Sequence, residues 1–306
     1  MNPSECGRHA PPRFWIERGP VGYRVVGPGF EDWEPTFAEA TAWREELEWS
    51  GWRRAVLPPI EGTGQGAPPC ESVVYGPVAS RRLGRSLGVS LTPPGARVCS
   101  FDCVYCEVCG ETRRSGWPAP DSIEAALADA LTQAGPLDSI TISGDGEPTL
   151  HPSFAAAVAA VLRVARRIRP RVPVRILTNG GSVVCAEVRA ALDRLDERIV
   201  MLDAAAERVD RPAPDCPLGA IIYALSLLKD VTVQACFIDG IVSNVGNNAV
   251  REWVDLVREL RPCAVQICTI DRPPWKCDVR SVSQQQLEEI ACILRERTGI
   301  DAGVFA

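Results

Sequence analysis

No window of the chain approaches eighteen uninterrupted apolar residues, so a membrane-spanning helix is excluded by length alone. The first residues also lack the apolar core of a secretory signal, and the expectation is a cytoplasmic protein with no membrane association. Positive charge is in short supply. The formal net charge of -6 over 306 residues argues against a generic nucleic-acid binder, whose footprint is basic. Histidine is scarce, with two residues in all. What is present is an ordinary globular composition, 46% apolar and 24% charged, enough for one large core or one core with a small module. The thirteen cysteines, without an export signal, point to a reducing compartment and metal chemistry. Most of them sit in apolar surroundings and read as small buried hydrophobes.

The informative cysteines are Cys99, Cys103 and Cys106, spaced C-x3-C-x2-C after an apolar run, with Tyr105 directly before the third. Three thiolates on a compact loop hold three corners of a 4Fe-4S cluster and leave the fourth iron free to bind a reacting molecule. Two other readings share the segment. Cys103, Cys106 and Cys109 spell the C-x2-C-x2-C of a small electron-carrying ferredoxin, although no fourth cysteine follows until Cys185. A zinc site built from all four thiolates is the other, but zinc hooks usually come from two separate segments.

The stretch from Tyr75, YGPVASRRLGRSLGVSLTPPGARVCSFDCVYCE, resembles the opening of the radical S-adenosylmethionine (SAM) superfamily. More narrowly it is similar to a subgroup of uncharacterised iron-sulfur oxidoreductases classed near the wyosine-forming tRNA enzymes. The resemblance continues through SGDGEPTLHP at Ser143 to Pro152, LTNG at Leu177 to Gly180, LDAA at Leu202 to Ala205 and VQICTIDRPP at Val265 to Pro274, and covers residues 71 to 306. It implies a 4Fe-4S cluster on Cys99, Cys103 and Cys106, with the amino and carboxylate groups of SAM on the fourth iron. It also implies reductive cleavage of SAM to a 5'-deoxyadenosyl radical that abstracts hydrogen from a substrate. The implied partner is a one-electron donor such as flavodoxin or ferredoxin. The substrate is left open among a small molecule, a peptide and a tRNA base, and activation of a partner enzyme is a further option. An iron-sulfur electron-transfer protein or a zinc-stabilised binding protein is the non-catalytic alternative.

The first sixty residues read as a small α+β module of their own. Runs at Arg13 to Glu17 and Tyr23 to Val26 flank Gly19-Pro20 as a hairpin, Thr36 and Glu39 cap a helix from Phe37 to Trp49, and Arg54 to Leu57 returns as a strand. Five of the eight tryptophans, Trp15, Trp33, Trp43, Trp49 and Trp52, lie here and read as filling a small core, with a stacking platform for bases as the alternative. Residues 61–70, rich in glycine and proline, form a linker. From residue 71 onward strand-like runs alternate with helical ones, the mark of parallel β/α architecture. Strands are expected at Ser86 to Leu91, Ser139 to Ser143, Val174 to Thr178, Ile199 to Leu202, Val231 to Phe237 and Ala264 to Ile270. Helices are expected from near Ser122, Pro152, Ala186, Leu218, Asn247 and Ser283, the first capped by Asp121 and Glu124 and ended by Gly135. Six units fall short of the eight of a closed barrel and fit the partial (β/α)6 TIM-like barrel that the resemblance implies, with its site at the C-terminal strand ends.

That placement assigns the remaining motifs. The resemblance puts backbone around Tyr105 near adenine. It puts Gly144, Gly146, Glu147 and Pro148 at the SAM amino group, with Asp145 where the superfamily has glycine. Asn179 and Gly180 after the third strand and Asp203 after the fourth face the ribose and methionine carboxylate, although Asn179 and Gly180 also suit a turn and Asp203 a helix cap. Asp239, Gly240, Ile241 and Asn244 border adenine or substrate. Arg81, Arg82, Arg85 and Arg272 are candidates for anion contact, with a surface salt bridge as the plain alternative for Arg272. His151 has either a site role or a helix-start role. The second basic group, Arg163, Arg166, Arg167, Arg169, Arg171 and Arg175, reads as a solvated helix face. Cys263, Cys268 and Cys277 have no strong metal spacing, and strand alternation separates the first two.

Overall fold

The computed structural model describes residues 15–19, 22–27, 30–34, 72–108, 116–204, 218–272, 274–275 and 278–306. Near the N-terminus, β1 (Trp15–Gly19), β2 (Gly22–Gly27) and β3 (Phe30–Glu34) form an antiparallel sheet in chain order. The expected hairpin is there, and a third strand follows it that the residue pattern did not mark. The expected helix from Phe37 to Trp49, the return strand at Arg54 to Leu57 and the linker lie outside the described residues.

The large sheet has eight strands: β4 (Val74–Ser80), β5 (Gly84–Ser90), β6 (Ser139–Ser143), β7 (Val174–Thr178), β8 (Glu197–Met201), β9 (Val231–Cys236), β11 (Ala264–Cys268) and β13 (Ala302–Phe305). They neighbour one another in chain order. β4 pairs antiparallel with β5, and every later pairing is parallel. Each strand from β5 through β9, and then β11, leads into a helix: α1 (Pro120–Gln133), α2 (Phe154–Ile168), α3 (Ala186–Leu192), α4 (Leu218–Ser226), α5 (Asn247–Leu260) and α6 (Gln284–Thr298). These are the six expected units. The sheet is wider because β4 and β13 extend its edges, and it curls into an open half-barrel, a partial TIM-like fold. A two-stranded ribbon of β10 (Ile238–Gly240) and β12 (Val279–Ser281) follows the ends of β9 and β11.

Alternation along each strand decides what faces where. Ile140 and Ile142 of β6, Val233 and Ala235 of β9, and Val265 and Ile267 of β11 join the core shared with the helices. Helix α2 meets that core with Ala157, Val158, Val161 and Ala165, while Arg163 and Arg166 stay on its outer face. Both arginines pair with carboxylates, Arg163 with Glu124 at 2.7 and 3.0 Å and Arg166 with Asp196 at 2.6 and 2.8 Å. Arg169 donates to the carbonyls of Leu131 and Ala134 at the end of α1. This basic group therefore holds helices and strands together from outside.

The start of α1 differs from expectation. Its cap is Ala119 with Pro120 at the first helical position, where the missing proline N–H leaves nothing unsatisfied. Asp121 sits inside the first turn, Glu124 is taken by Arg163, and the helix ends at Gln133 just before Gly135. Among the described residues no helix is long and apolar enough to cross a membrane.

Trp253 of α5 is fully buried, stands edge-on to Phe237 with centroids 5.3 Å apart, and donates its indole N–H to Leu202 O at 2.9 Å. It thus ties α5 to the ends of β8 and β9, next to the site. Trp253→Ala should lower unfolding stability by about 3–5 kcal/mol in urea titration. A loss under about 1 kcal/mol would mean that the neighbours collapse into the space.

Candidate functional site

The loops that follow the parallel strands gather at one end of the half-barrel. The longest, after β5, carries the three cysteines. Cys99, Cys103 and Cys106 are free thiols, all partly buried, and a turn closed by Cys106 N donating to Cys103 O at 3.1 Å sets the last two. Phe101 N donates to Cys99 Sγ at 3.4 Å. Arg97, buried beneath the loop, donates to Phe101 O at 3.3 Å and pairs with Asp102 at 3.1 Å. Burial works against its charge, but the cysteine sulfurs of Cys106 and Cys99 and the Asp102 carboxylate outweigh it and raise the guanidinium above its ordinary value. Burial also pushes the Cys99 thiol up to about 12, with Glu147 adding to the effect and Phe101 N–H and Arg97 opposing it. A metal that binds there must displace the proton.

The loop is fastened to the turn after β6. Val98 and Gly146 form a parallel bridge, and Glu147 N donates to Val98 O at 2.8 Å. A Cβ on Gly146 would lie 1.8 Å from that carbonyl oxygen, so the approach requires glycine. Gly144, with φ +140°, lies so close to Ser90 that a Cβ would meet its Oγ at 2.5 Å.

Glu147 is buried, and its carboxylate is used within the protein. Oε1 accepts from Thr149 N at 3.1 Å, Thr149 Oγ1 at 2.6 Å and Thr178 Oγ1 at 2.6 Å, and Oε2 accepts from Asn179 N at 2.7 Å. Burial raises its pKa while these donors pull it down. The side chain thus locks the ends of β6 and β7 together and leaves backbone to face the mouth. Pro148 begins the 3-10 turn that Glu147 caps.

Asn179 extends the lock to the cysteines. Its Nδ2 donates to Ser100 Oγ at 3.1 Å and lies 3.6 Å from Cys99 Sγ. Asp203 does the equivalent on the other side, its Oδ2 accepting from Tyr105 Oη at 2.5 Å and its Oδ1 from Cys236 N at 2.5 Å. Tyr105, Glu147, Asn179 and Asp203 are thereby joined to the cysteine loop. Gly180, at φ +75°, packs toward Val200 and Ile221.

Other candidates have structural partners. Gly240 lies in the β10–β12 ribbon, where a Cβ would meet Asp278 O at 2.9 Å. Asn244 is fully buried, accepting from Ile238 N at 2.8 Å and donating to Cys236 O at 2.9 Å. Asp239 pairs with Arg280 at 3.4 Å, and Ile241 is 79% exposed. His151 Nδ1 accepts from Ser153 N at 3.0 Å and its Nε2 lies 2.9 Å from Pro118 O, which fixes the Nε2–H tautomer and ties the start of α2 to the segment before α1. Arg81 pairs with Asp271, and Arg272 with Glu107 at 2.5 Å. Arg85 N donates to Asp138 at 2.8 Å. Arg82 has no ion pair among the described residues, and its charge acts on Glu107 and Cys268.

Sequence reasoning gave no role to Arg97 or to Cys236. Cys236 neighbours Cys268 in register on β11, and both thiols face Val104 and Tyr105 of the cysteine loop. A hydrogen bond from Cys236 lowers the Cys268 pKa against burial, helped by Arg82 and Arg81. Cys263 and Cys268 flank and end β11 respectively, about 16 Å apart along the strand. Cys109 and Cys277 lie outside the described residues.

Donor chemistry tests the cluster. Among the described residues no three His, Cys, Asp or Glu side chains converge on a single ion. Three free thiols spread over one partly exposed loop fit the corners of an iron-sulfur cube. Gly146→Ala should displace the cysteine loop through about 1–3 kcal/mol of overpacking. Iron retained after anaerobic reconstitution should then fall several-fold with the circular dichroism unchanged. Full loading in the variant would show that the bridge does not position the loop.

Residues 94–261, more than half of the chain, match the profile of the Radical SAM superfamily. The chain is similar to a UPF0026 protein of Synechocystis, 30% identical over 213 residues that make up 65% of this chain and 76% of that one. It is also similar to a Brachyspira hyodysenteriae protein named GTPase Obg, 26% identical over 71% of this chain but 32% of that one, and so spans about a third of that relative's length. In fold it is similar to the structure of TYW1 with a lysine-pyruvate adduct bound, with a TM-score of 0.53 and 15% identity over 70% of this chain and 74% of that one. With the profile spanning the cysteine loop, the Gly146 turn and the ends of four consecutive strands, the chain belongs to the radical SAM superfamily.

Proposed function

We propose that the chain reductively cleaves SAM at a 4Fe-4S cluster held by Cys99, Cys103 and Cys106 and uses the product to abstract hydrogen from a substrate. The observation that carries this reading is the joint between the cysteine loop and the ends of β6 and β7. There Gly146 bridges Val98, and Asn179, held by Glu147, reaches Cys99. Cys99, Cys103 and Cys106 would hold the cluster, which would supply the one-electron reduction of the SAM sulfonium that cleavage to methionine and a hydrogen-abstracting 5'-deoxyadenosyl group requires.

The chain's own residues bind, orient and exclude water. Backbone from Gly144 to Pro148 presents the SAM amino-group contacts, with the Glu147 carboxylate holding that backbone still. Asn179 and Asp203 are the polar groups of the mouth nearest the loop, and Asp203 fixes the Tyr105 ring whose backbone borders adenine. Gly240 contributes by letting β10 and β12 approach over the ends of β9 and β11. An external one-electron donor such as flavodoxin or ferredoxin supplies the electron, and the cytoplasm supplies the reducing conditions that thirteen cysteines require.

Anaerobically reconstituted wild type should hold about four irons per chain. With a reductant it should form 5'-deoxyadenosine from SAM, and Cys103→Ala should lose both properties to background. Equal iron content and equal product in the two proteins would refute the reading.

A further inference from the structure

The half-barrel interior is polar below its mouth. Ser86 and Thr141 share a hydrogen bond of 2.6 Å, Ser139 reaches Leu83 O at 3.2 Å, Arg175 pairs with Glu197 at 2.7 Å, and Thr232 donates to Glu197 at 3.0 Å. These groups partner one another across neighbouring strands, with Arg175 Nε in ion-pair contact with Glu197 but not hydrogen-bonded to it. Two do not.

Gln234 of β9 and Gln266 of β11 are partners in register. Their flanking residues Val233, Ala235, Val265 and Ile267 face the helix-side core, so both glutamines face the interior. Gln234 is 4% exposed, and its Nε2 sits 2.9 Å from Met201 Sδ, a weak acceptor that fixes the amide orientation. The Oε1 atoms of both glutamines are buried without a partner among the described residues. Each such acceptor costs about 1–3 kcal/mol, and natural proteins rarely carry two side by side without an occupant.

We propose that Gln234 and Gln266 form a substrate anchor for a primary amino or ammonium group. The two buried atoms left open are both acceptors, so an occupant that reaches them donates. In-register side chains on neighbouring parallel strands start about 4.8 Å apart. One nitrogen with two N–H bonds of about 2.9 Å bridges such a span. The glutamines lie two residues below Cys236 and Cys268, which face Val104 and Tyr105 of the cysteine loop. An amine held at that depth, about 6.6 Å below the strand ends, leaves the adjoining carbons of a small polar molecule at the mouth. This rests on the radical reading for what happens at those carbons, and not for the anchor itself.

The test is ligand-observed NMR on the reconstituted full chain with ethylammonium and with its N,N,N-trimethyl counterpart, which has the same charge and no N–H donor. Ethylammonium should bind wild type and the trimethyl ion should not. Gln234→Met with Gln266→Met should weaken ethylammonium binding at least about tenfold. Should that protein fail to fold, Gln266→Glu keeps the acceptor and should retain binding, while Gln266→Met alone should weaken it. Equal binding of the two ions, no ethylammonium binding to wild type, or unchanged binding in the methionine variants would overturn the proposal. Binding is read without turnover, so a wild type that cleaves no SAM would sink the radical reading and leave this result standing.

Discussion

The site depends on the contact between Gly146 and Val98. The loop that presents three thiols buries Phe101 and Val104, and its backbone register is taken from the turn after β6. Only a residue without a Cβ lets the two backbones meet, since any side chain would collide with the Val98 carbonyl. Next to it, Glu147 accepts four hydrogen bonds in a buried place, an arrangement that tolerates its desolvation only because every one of those donors is supplied. The geometry of the cysteines is therefore inherited from the sheet: β6 sets the turn, the turn sets Val98, and Asn179 from β7 closes the circuit on Cys99.

Much of this was legible in the sequence because parallel strands and their helices announce themselves by period. The strand at Ser139–Ser143 alternates isoleucine with hydroxyls, and the observed strand has those bounds. The helix beginning at Ala186 was likewise marked by its pattern. Edge strands were less visible. β4 contains Gly76 and Pro77, and β13 is only four residues long, so neither offers a run that stands out from loop. The start of α1 was misplaced because Asp121 and Glu124 look like a cap, whereas Pro120 needs no donor and takes the first position.

The site divided along a physical line. Cysteines, the Gly-Glu-Pro turn and the polar residues after strands were legible as motifs because their chemistry is local. Partners that come from distant elements were not. Nothing local to Asp203 says that it holds Tyr105, and although a helix-start role for His151 was legible, its reach to Pro118 O was not. Gln234 and Gln266 did leave a signal: polar side chains that alternate with apolar ones, Thr232 and Gln234 in β9 and Gln266 in β11, mark the face turned away from the helices. Reading that signal requires knowing that the second face lines the inside of a curled sheet, which the sequence pattern alone does not supply.

The mouth thus has a rigid side, where Glu147 and Asp203 hold the cysteine loop, and an interior with open acceptors beneath it. The most direct measurement is electron paramagnetic resonance of the reduced, reconstituted chain with and without SAM. A reduced 4Fe-4S signal that shifts when SAM is added is predicted, because the proposed ligation by Cys99, Cys103 and Cys106 would leave one iron without a cysteine for SAM to bind. Superimposable spectra, or no four-iron signal at all, would contradict it.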